Sequence, residues 1–356
     1  MRAARLHAVG DLRVTDEPVP EAGPGMSLVR VTAVGICGSD LHWWDEGAIG
    51  DAKLTHPLVL GHEGAGVVAE GARRGERVAI DPAIPCQACR ACRDGYRNLC
   101  HRIMFSGHGE TDGMMRELMA WPAALLHPLP DSLSDADGAL LEPLGVALHS
   151  VDLGHLPIGG TASVVGCGPI GLLLIGALKA AGAGSVLAIE PLAHRREAAG
   201  RYGADLVAEA GWFAGSSSGS SAGSSAGSSS GSSADEGLMR DLTGSGVDVA
   251  FEAAGTGEGV RLAMESARPG GRVVLAGIPA GDVISFQASA ARRKGLTIAM
   301  VRRMNEAYPR AISLAARGVV DLASLVTRRA GLGEVAGAFG DAVRRTGLKV
   351  IIEPQR

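Results

Sequence analysis

Three side chains near the start of this 356-residue chain are of types that bind zinc: the Cys37 thiol, the His62 imidazole and the Glu63 carboxylate. His62 and Glu63 are adjacent, so an extended backbone would point them to opposite faces. A turn enforced by Gly61 and Gly64 would instead bring both to one ion, because glycine reaches conformations closed to other residues. Three protein ligands leave a fourth tetrahedral position open, which is typical of a catalytic zinc site.

A second group, of four cysteines, has the spacing of a structural zinc site. Two overlapping C-x-x-C steps let pairs of thiolates bind one ion from a single turn, and the fourth cysteine follows on a short loop. In a large chain with no recognisable export signal, this crowding indicates metal rather than disulfides. The predicted ligands are Cys86, Cys89, Cys92 and Cys100. The arginines expected to offset their negative charge are Arg90, Arg93 and Arg97.

Composition argues against several classes of partner. The net charge of −4 does not suit a broad phosphate-backbone footprint, and aromatic residues at 3% leave little stacking surface for single-stranded nucleic acid. The apolar run 170–181 is too short to span a bilayer, and the first residues lack the apolar segment of a signal peptide. We therefore expect a cytoplasmic protein that acts on a small molecule, with no nucleic-acid or membrane partner.

The periodicity of apolar residues predicts two domains. Residues 1–150 contain short β-branched runs joined by Pro/Gly turns, which favours a compact, mostly antiparallel β unit. Residues 151–296 alternate buried strands with helical runs, which predicts a doubly wound parallel sheet. Because the chain ends in another β-type run, we expect 297–356 to return to the first domain. The Gly/Ser/Ala tract 215–234 is predicted to be a disordered surface loop within the second domain.

A glycine-rich fingerprint opens the second domain. Gly166, Gly168 and Gly171 follow a short buried strand, and Pro169 and Ile170 begin a helical run. The glycines admit a pyrophosphate to the helix N-terminus, where backbone N–H groups and the helix dipole receive it.

The residues after the next strand bear on cofactor choice. Glu190 ends that strand, where a carboxylate accepts hydrogen bonds from the ribose hydroxyls and repels a 2′-phosphate. Arg195 and Arg196 begin the following helix, and their positive charges would act against Glu190 by pairing with a 2′-phosphate. We expect Glu190 to dominate and NAD to be the cofactor, with Arg195 near the adenine or simply solvated.

Taken together, the motifs resemble those of the zinc-dependent medium-chain alcohol dehydrogenases, and among them the sorbitol (polyol) dehydrogenase branch. The resemblance covers nearly the whole chain except the Gly/Ser/Ala tract. It implies a GroES-like β-rich catalytic domain, a Rossmann domain, two zinc ions and a homodimer or homotetramer. The motifs, in the family's order, are Cys37-Gly38-Ser39-Asp40, Gly61-His62-Glu63, the four lobe cysteines, Leu141-Glu142-Pro143-Leu144 and Gly166-x-Gly168-x-x-Gly171.

The resemblance also assigns roles in the site. It implies that Cys37, His62 and Glu63 hold the catalytic zinc, with Glu142 nearby or exchanging with water on the metal. Asp40 would orient the zinc-binding histidine.

Two further residues, Ser39 and His42, would relay the proton of the substrate hydroxyl outward. Each assignment has a simpler alternative: His42 faces solvent and has no role, and Glu142 is a carboxylate at the start of a helix. Zinc would lower the pKa of the substrate hydroxyl, and the alcohol carbon would transfer hydride to the nicotinamide.

Departures from the family pattern fall in the substrate-contact segments. The chain has Arg302-Arg303-Met304 where many polyol dehydrogenases have Arg-Tyr, and the segment 105–112, with His108, also differs. We expect Phe105, Arg302 and Arg303 to contact the substrate, and the extra positive charge favours an acidic or highly hydroxylated one.

The predicted reaction is oxidation of a secondary alcohol of a polyol or sugar-like substrate to a ketone. Threonine or an aminocyclitol is the alternative substrate. A nucleotide-binding protein without catalysis is the competing class.

Overall fold

The structure is a computed structural model that describes residues 1–209 and 244–356. The predicted disordered loop 215–234 lies outside these residues. Contacts divide the chain into one unit of Met1–Val146 with Arg302–Arg356 and a second of Ala147–Val301. No helix of the described residues has the length and apolar character needed to cross a membrane.

The strands and helices of the described residues are numbered here in chain order. The strands are β1 (Arg2–Ala8), β2 (Asp11–Asp16), β3 (Met26–Gly35), β4 (Ala48–Ile49), β5 (Ala52–Lys53), β6 (Leu58–Val59), β7 (Glu63–Glu70), β8 (Arg77–Ile80), β9 (Ala83–Ile84), β10 (Met104–Phe105), β11 (Leu118–Pro122), β12 (Leu126–Pro128), β13 (Thr161–Val165), β14 (Ser185–Ile189), β15 (Leu206–Ala208), β16 (Val247–Glu252), β17 (Ala267–Leu275), β18 (Thr297–Met300), β19 (Val326–Gly331) and β20 (Lys349–Glu353). The helices are α1 (Gly38–Glu46), α2 (Arg90–Arg93), α3 (Asp135–Gly154), α4 (Pro169–Ala180), α5 (Ala193–Arg201), α6 (Gly257–Ser266), α7 (Ala288–Lys294), α8 (Tyr308–Ala316) and α9 (Val335–Arg344).

The first unit is built on a mostly antiparallel sheet of order β12-β8-β7-β3-β20-β19, with β11 also paired to β3. Strand β20 pairs with β3, so the C-terminal strand completes this sheet. Most residues of β3 and β7 are buried, as expected of central strands in a sheet that packs against a core. A core of valine, leucine, isoleucine and methionine side chains holds the unit together, with Trp43, Trp121 and Phe339 among them.

The second unit is a six-stranded parallel sheet of order β15-β14-β13-β16-β17-β18. Its strands are nearly continuous apolar runs, and its core is aliphatic, as expected for a sheet covered on both faces. This arrangement confirms the predicted Rossmann-type fold.

The two units differ from the predicted domains at both boundaries. Residue 150, the expected boundary, lies inside α3, because one continuous helix runs from 135 to 154. Residues 297–301, expected in the first domain, belong with the second unit, because β18 adds to the parallel sheet beside β17.

Candidate active site and metal centres

The structure brings the three predicted zinc ligands together. One ligand atom from each of Cys37, His62 and Glu63 lies within 4.8 Å of the others. Cys37 immediately precedes α1, and Glu63 is the first residue of β7. His62 and Glu63 are buried, and Cys37 is partly exposed. A thiolate, an imidazole and a carboxylate at this spacing form an incomplete tetrahedral set for zinc.

Glycines shape this loop, though not as the sequence predicted. Gly61 has a φ of 98°, a left-handed conformation that favours glycine. Gly64 instead lies within β7, and a Cβ there would collide with the sulfur of Met114. Its role is close packing, not a turn. Gly35, opposite Glu63 in the β3–β7 ladder, leaves the space that the Glu63 carboxylate occupies.

Asp40 fixes the geometry of the cluster. Its carboxylate accepts hydrogen bonds from the backbone N–H groups of Cys37 (2.9 Å) and Gly61 (3.2 Å). One of its oxygens lies 3.5 Å from Nδ1 of His62, which leaves the other imidazole nitrogen for a metal. Ser39 Oγ lies 3.3 Å from that second nitrogen, Nε2. Asp40 is thus placed to orient the imidazole.

The electrostatics of the cluster call for a cation. Burial opposes a charged His62, but the carboxylate of Asp40 and the thiolate of Cys37 outweigh burial and raise the pKa of His62 well above its ordinary value. Oε2 of Glu63 is buried and has no hydrogen-bond partner, although it lies 2.6 Å from the ammonium of Lys349 in an ion pair. A zinc ion would supply both the positive charge and the missing partner, so the residues present fit the metal.

Lys349 is a site residue that the sequence reasoning missed. It is 3% exposed, and its ammonium donates a hydrogen bond to Oε1 of Glu63 at 2.7 Å. The signal for it was a lysine at the start of the apolar run Val350-Ile351-Ile352, where a charge must be paired if it is buried.

Glu142 lies near this cluster on α3 and is 4% exposed. Burial raises its pKa to about 7, helped by the negative charge of Glu63 and opposed by His62 and Lys349. Glu142 is not part of the Cys37, His62 and Glu63 set. The structure therefore places it beside the three ligands rather than among them, and in the middle of α3 rather than at a helix start.

The predicted relay residues are not joined directly. Ser39 contacts His62, whereas Nδ1 of His42 lies 2.8 Å from Oε1 of Glu46, one turn further along α1. In the part of the chain that the structure describes, no hydrogen bond links Ser39 to His42. A relay would need a hydroxyl or water between them.

The four lobe cysteines also converge, with their sulfur atoms within 4.8 Å of one another. The backbone N–H of Ala88 lowers the pKa of Cys86 to about 5, whereas burial and neighbouring thiolates raise the pKa of Cys92 to about 12. Four thiols this close cannot all ionise without a cation, so the set fits a structural zinc.

The arginines expected to offset the negative charge of the four lobe cysteines mostly pair with other residues. Arg90 pairs with Asp94, and Arg97 pairs with Glu306. Arg102 is the arginine that donates to a lobe sulfur, that of Cys86 at 3.4 Å. Sequence proximity was a poor guide here because side-chain direction decides the contact.

The glycine fingerprint has the geometry for a dinucleotide. Gly166 has a φ of 90°, and a Cβ on Gly171 would collide with the carbonyl oxygen of Gly166. Helix α4 begins at Pro169, whose missing N–H costs little at that position. Ile170 follows in the first turn. The loop thereby keeps its backbone open to a pyrophosphate at the N-terminus of α4.

Residues after β14 complete this loop. Glu190 accepts hydrogen bonds from the backbone N–H groups of Cys167 (2.7 Å) and Leu192 (3.0 Å). A guanidinium nitrogen of Arg195 lies 3.6 Å from where a Cβ on Gly168 would stand. Arg196 instead donates to the carbonyls of residues 190 and 191 and pairs with Glu209 at 2.7 Å.

The predicted substrate residues Phe105, Arg302 and Arg303 all belong to the first unit. Phe105 is buried, with its ring centroid 5.3 Å from that of His62. The guanidinium carbon of Arg303 lies 3.9 Å from the Phe105 centroid. Arg302 is exposed, and its carbonyl accepts a hydrogen bond from Asn98.

Known proteins resemble the chain over its full length. Residues 23–131 match the alcohol dehydrogenase GroES-like domain, and residues 169–317 match the zinc-binding dehydrogenase family. Sorbitol dehydrogenase of Bacillus subtilis (strain 168) is 32% identical over 366 residues, which cover 100% of this chain and 98% of that protein. Sorbitol dehydrogenase of Mus musculus is 32% identical over 98% of this chain and 94% of its own length.

Solved structures agree with this relationship. That of 2R,3R-butanediol dehydrogenase from Bacillus subtilis matches with a TM-score of 0.82 and 30% identity, covering 99% of both chains. A Sinorhizobium meliloti 1021 protein bound to NADP matches with a TM-score of 0.84 and 30% identity, again over 99% of both chains. The resemblance inferred from the motifs is therefore confirmed, and the chain belongs to the zinc-dependent medium-chain alcohol dehydrogenase family.

Proposed function

We propose that this protein oxidises a secondary alcohol of a polyol or sugar-like substrate to the ketone and transfers the hydride to NAD. The observation that carries the proposal is the convergence of Cys37, His62 and Glu63, with Asp40 and Ser39 on the imidazole. Relatives named sorbitol dehydrogenase support the substrate class. A non-catalytic nucleotide-binding protein would be expected to lack part of this set.

The chain's own residues would have distinct tasks. When bound, zinc supplies Lewis-acid polarisation of the substrate hydroxyl, and the nicotinamide accepts the hydride. Cys37, His62 and Glu63 hold the ion, and Asp40 keeps the imidazole in the orientation that binds it. Ser39 Oγ, beside His62, is placed to receive the hydroxyl proton, and His42 serves as the exit to solvent through a bridging hydroxyl or water. Glu142 is the further carboxylate available to water or substrate.

Two zinc ions per chain and a preference for NAD are part of this proposal. The lobe of Cys86, Cys89, Cys92 and Cys100 would hold the second, structural ion. Glu190 would repel a 2′-phosphate, and Arg196 is already engaged with backbone carbonyls and Glu209. The fingerprint residues Gly166, Gly168, Pro169, Ile170 and Gly171 would receive the pyrophosphate, with Arg195 beside it.

A homodimer or homotetramer in a reducing compartment such as the cytoplasm is also proposed. Strand β18 is an edge of the parallel sheet, yet Ile298 and Met300 are exposed on it. An apolar edge of this kind, unpaired among the described residues, suits contact with a second subunit. All six cysteines are free thiols, and five of them stand in the two clusters arranged for metal, which suits a reducing environment.

A substrate panel tests the proposed function. Polyols, simple secondary alcohols, threonine and aminocyclitols would be supplied with NAD and the formation of NADH followed by absorbance. We expect the polyols to be oxidised fastest. Turnover restricted to amino alcohols would show that the substrate class is wrong, and no turnover with any alcohol would reject the proposed function as a whole.

A further inference from the structure

Arg303, a partly buried arginine with one buried and unpaired nitrogen among the described residues, lies beside the candidate active site. Nη1 of Arg303 is buried and has no hydrogen-bond partner among the described residues. Glu142 is the carboxylate that favours its charge, and it acts through space rather than through a hydrogen bond. A buried guanidinium nitrogen that lacks a hydrogen-bond partner is costly, so it is expected to bind a ligand.

Arg303 and the predicted zinc ligand His62 both lie against the ring of Phe105. Its guanidinium carbon stands 3.9 Å from the centroid of the Phe105 ring, and the His62 ring stands 5.3 Å from the same centroid. Phe105, Glu142 and Arg303 also line one cavity. The guanidinium carbon of Arg303 and the ring centroid of His62 are therefore separated by no more than the sum of these two distances. A substrate with five or six carbons can span that separation.

The backbone holds Arg303 in a conformation that its side chain does not favour. Its φ is 56°, in the left-handed region where a non-glycine residue is strained. Two asparagines anchor the segment: Asn98 donates to the carbonyl of Arg302 (3.0 Å), and Asn305 donates to the carbonyl of Gly95 (2.9 Å). Strained residues that the surroundings fix in this way cluster at ligand sites.

We propose that Arg303 is a specificity-determining residue that binds the terminal anionic group, a carboxylate or a phosphate, of an acyclic polyol. This proposal rests on the proposed function and narrows its substrate class. A guanidinium offers paired N–H donors that match both groups.

The surrounding charges suit this role. Burial and the neighbouring Arg302 lower the pKa of Arg303 to about 10, so Arg303 stays charged at neutral pH. Burial and the charge of Arg303 lower the pKa of His108 to about 4, so His108 stays neutral. A positive charge at this position repels an ammonium group, which disfavours threonine and aminocyclitols as substrates.

Matched substrates and three variants test the proposal. Six-carbon aldonates, hexitol phosphates and the parent hexitols of the same stereochemistry would be compared by kcat/KM with NAD. The variants are Arg303→Gln, Arg303→Lys, which keeps the charge, and Arg317→Gln, which removes an exposed arginine of the same unit.

The wild-type protein is expected to favour one anionic class over the matched hexitol by at least tenfold. Arg303→Gln should lower kcat/KM for that anion about 100-fold, equivalent to about 2.7 kcal/mol, and should lower the ratio of anion to hexitol at least tenfold. Arg303→Lys should keep part of the wild-type preference for the anion over the hexitol, and Arg317→Gln should keep all of that preference. The aldonate and phosphate arms identify which anion is used.

Two outcomes would overturn the inference and leave the proposed function standing: a wild-type enzyme that favours the neutral hexitol, or an Arg303→Gln ratio equal to the wild-type ratio. Absence of turnover with every alcohol would instead overturn the proposed function, and the inference with it.

Discussion

Replacing Lys349 with methionine should destabilise the first unit strongly when metal is absent. The side chains of Lys349 and Glu63 are 2% and 0% exposed, and their charged atoms lie 2.6 Å apart. Removing the lysine leaves the buried Glu63 carboxylate without its ion-pair partner, which typically costs about 3–5 kcal/mol. For a unit of this size that corresponds to a fall of roughly 10 °C in Tm. With zinc supplied the loss should be smaller, because the ion provides positive charge beside the same carboxylate.

Denaturant unfolding with chelator and with added zinc measures this effect. Two controls sharpen it. Glu63→Gln combined with Lys349→Met removes both charges and should recover much of the lost free energy of unfolding. Lys179→Met breaks the solvent-exposed pair with Asp205 (3.0 Å) and should cost at most about 1 kcal/mol. The reasoning is refuted if Lys349→Met unfolds like the wild-type protein in chelator, or if added zinc leaves its deficit unchanged.

Three further predictions concern single residues. Cys37→Ser should abolish turnover and keep the fold, whereas Cys89→Ser should mainly lower Tm; retained activity in Cys37→Ser would place the catalytic site elsewhere. NAD should be preferred over NADP by at least tenfold in kcat/KM, or roughly 1.4 kcal/mol, and Glu190→Gln should narrow that preference; equal wild-type rates with both cofactors would contradict the role of Glu190. Burial raises the pKa of Asp81 from 3.8 to about 6, so the folded protein binds that proton more tightly and loses stability as pH rises between those values. Asp81→Asn, which keeps an acceptor for the N–H of Ala83, should be more stable than wild type by about 3 kcal/mol above pH 6 and equal to it near pH 3; identical pH profiles for the two proteins would count against this.

Features encoded over short stretches could be predicted from the sequence. The fingerprint from Gly166 to Gly171 and the four-cysteine lobe each fold from fewer than about twenty consecutive residues. The spacing of the key residues along the chain therefore determines the geometry of each site. The alternation of apolar strands and helices likewise predicted the parallel sheet, and the structure confirms that fold. The identification of the family followed from the order of these motifs and is confirmed by the matches to both domain families.

Contacts between distant parts of the chain could not be predicted in this way. Glu63 and Lys349 are 286 positions apart, and only the pairing of β20 with β3 brings them together. Gly64 was predicted to make a turn, because nothing local shows that Met114 packs against it. The boundary at residue 297 was misplaced because the apolar pattern of β18 does not show which sheet it joins.

Anomalous diffraction from crystals of the purified protein at the zinc absorption edge tests the central claim most directly. We predict two peaks per chain, one among the lobe sulfurs and one at about 2.0–2.3 Å from the ligand atoms of Cys37, His62 and Glu63. A single peak at the lobe, with none beside His62 in a preparation that oxidises polyols, would contradict the assignment of these three residues to the catalytic zinc.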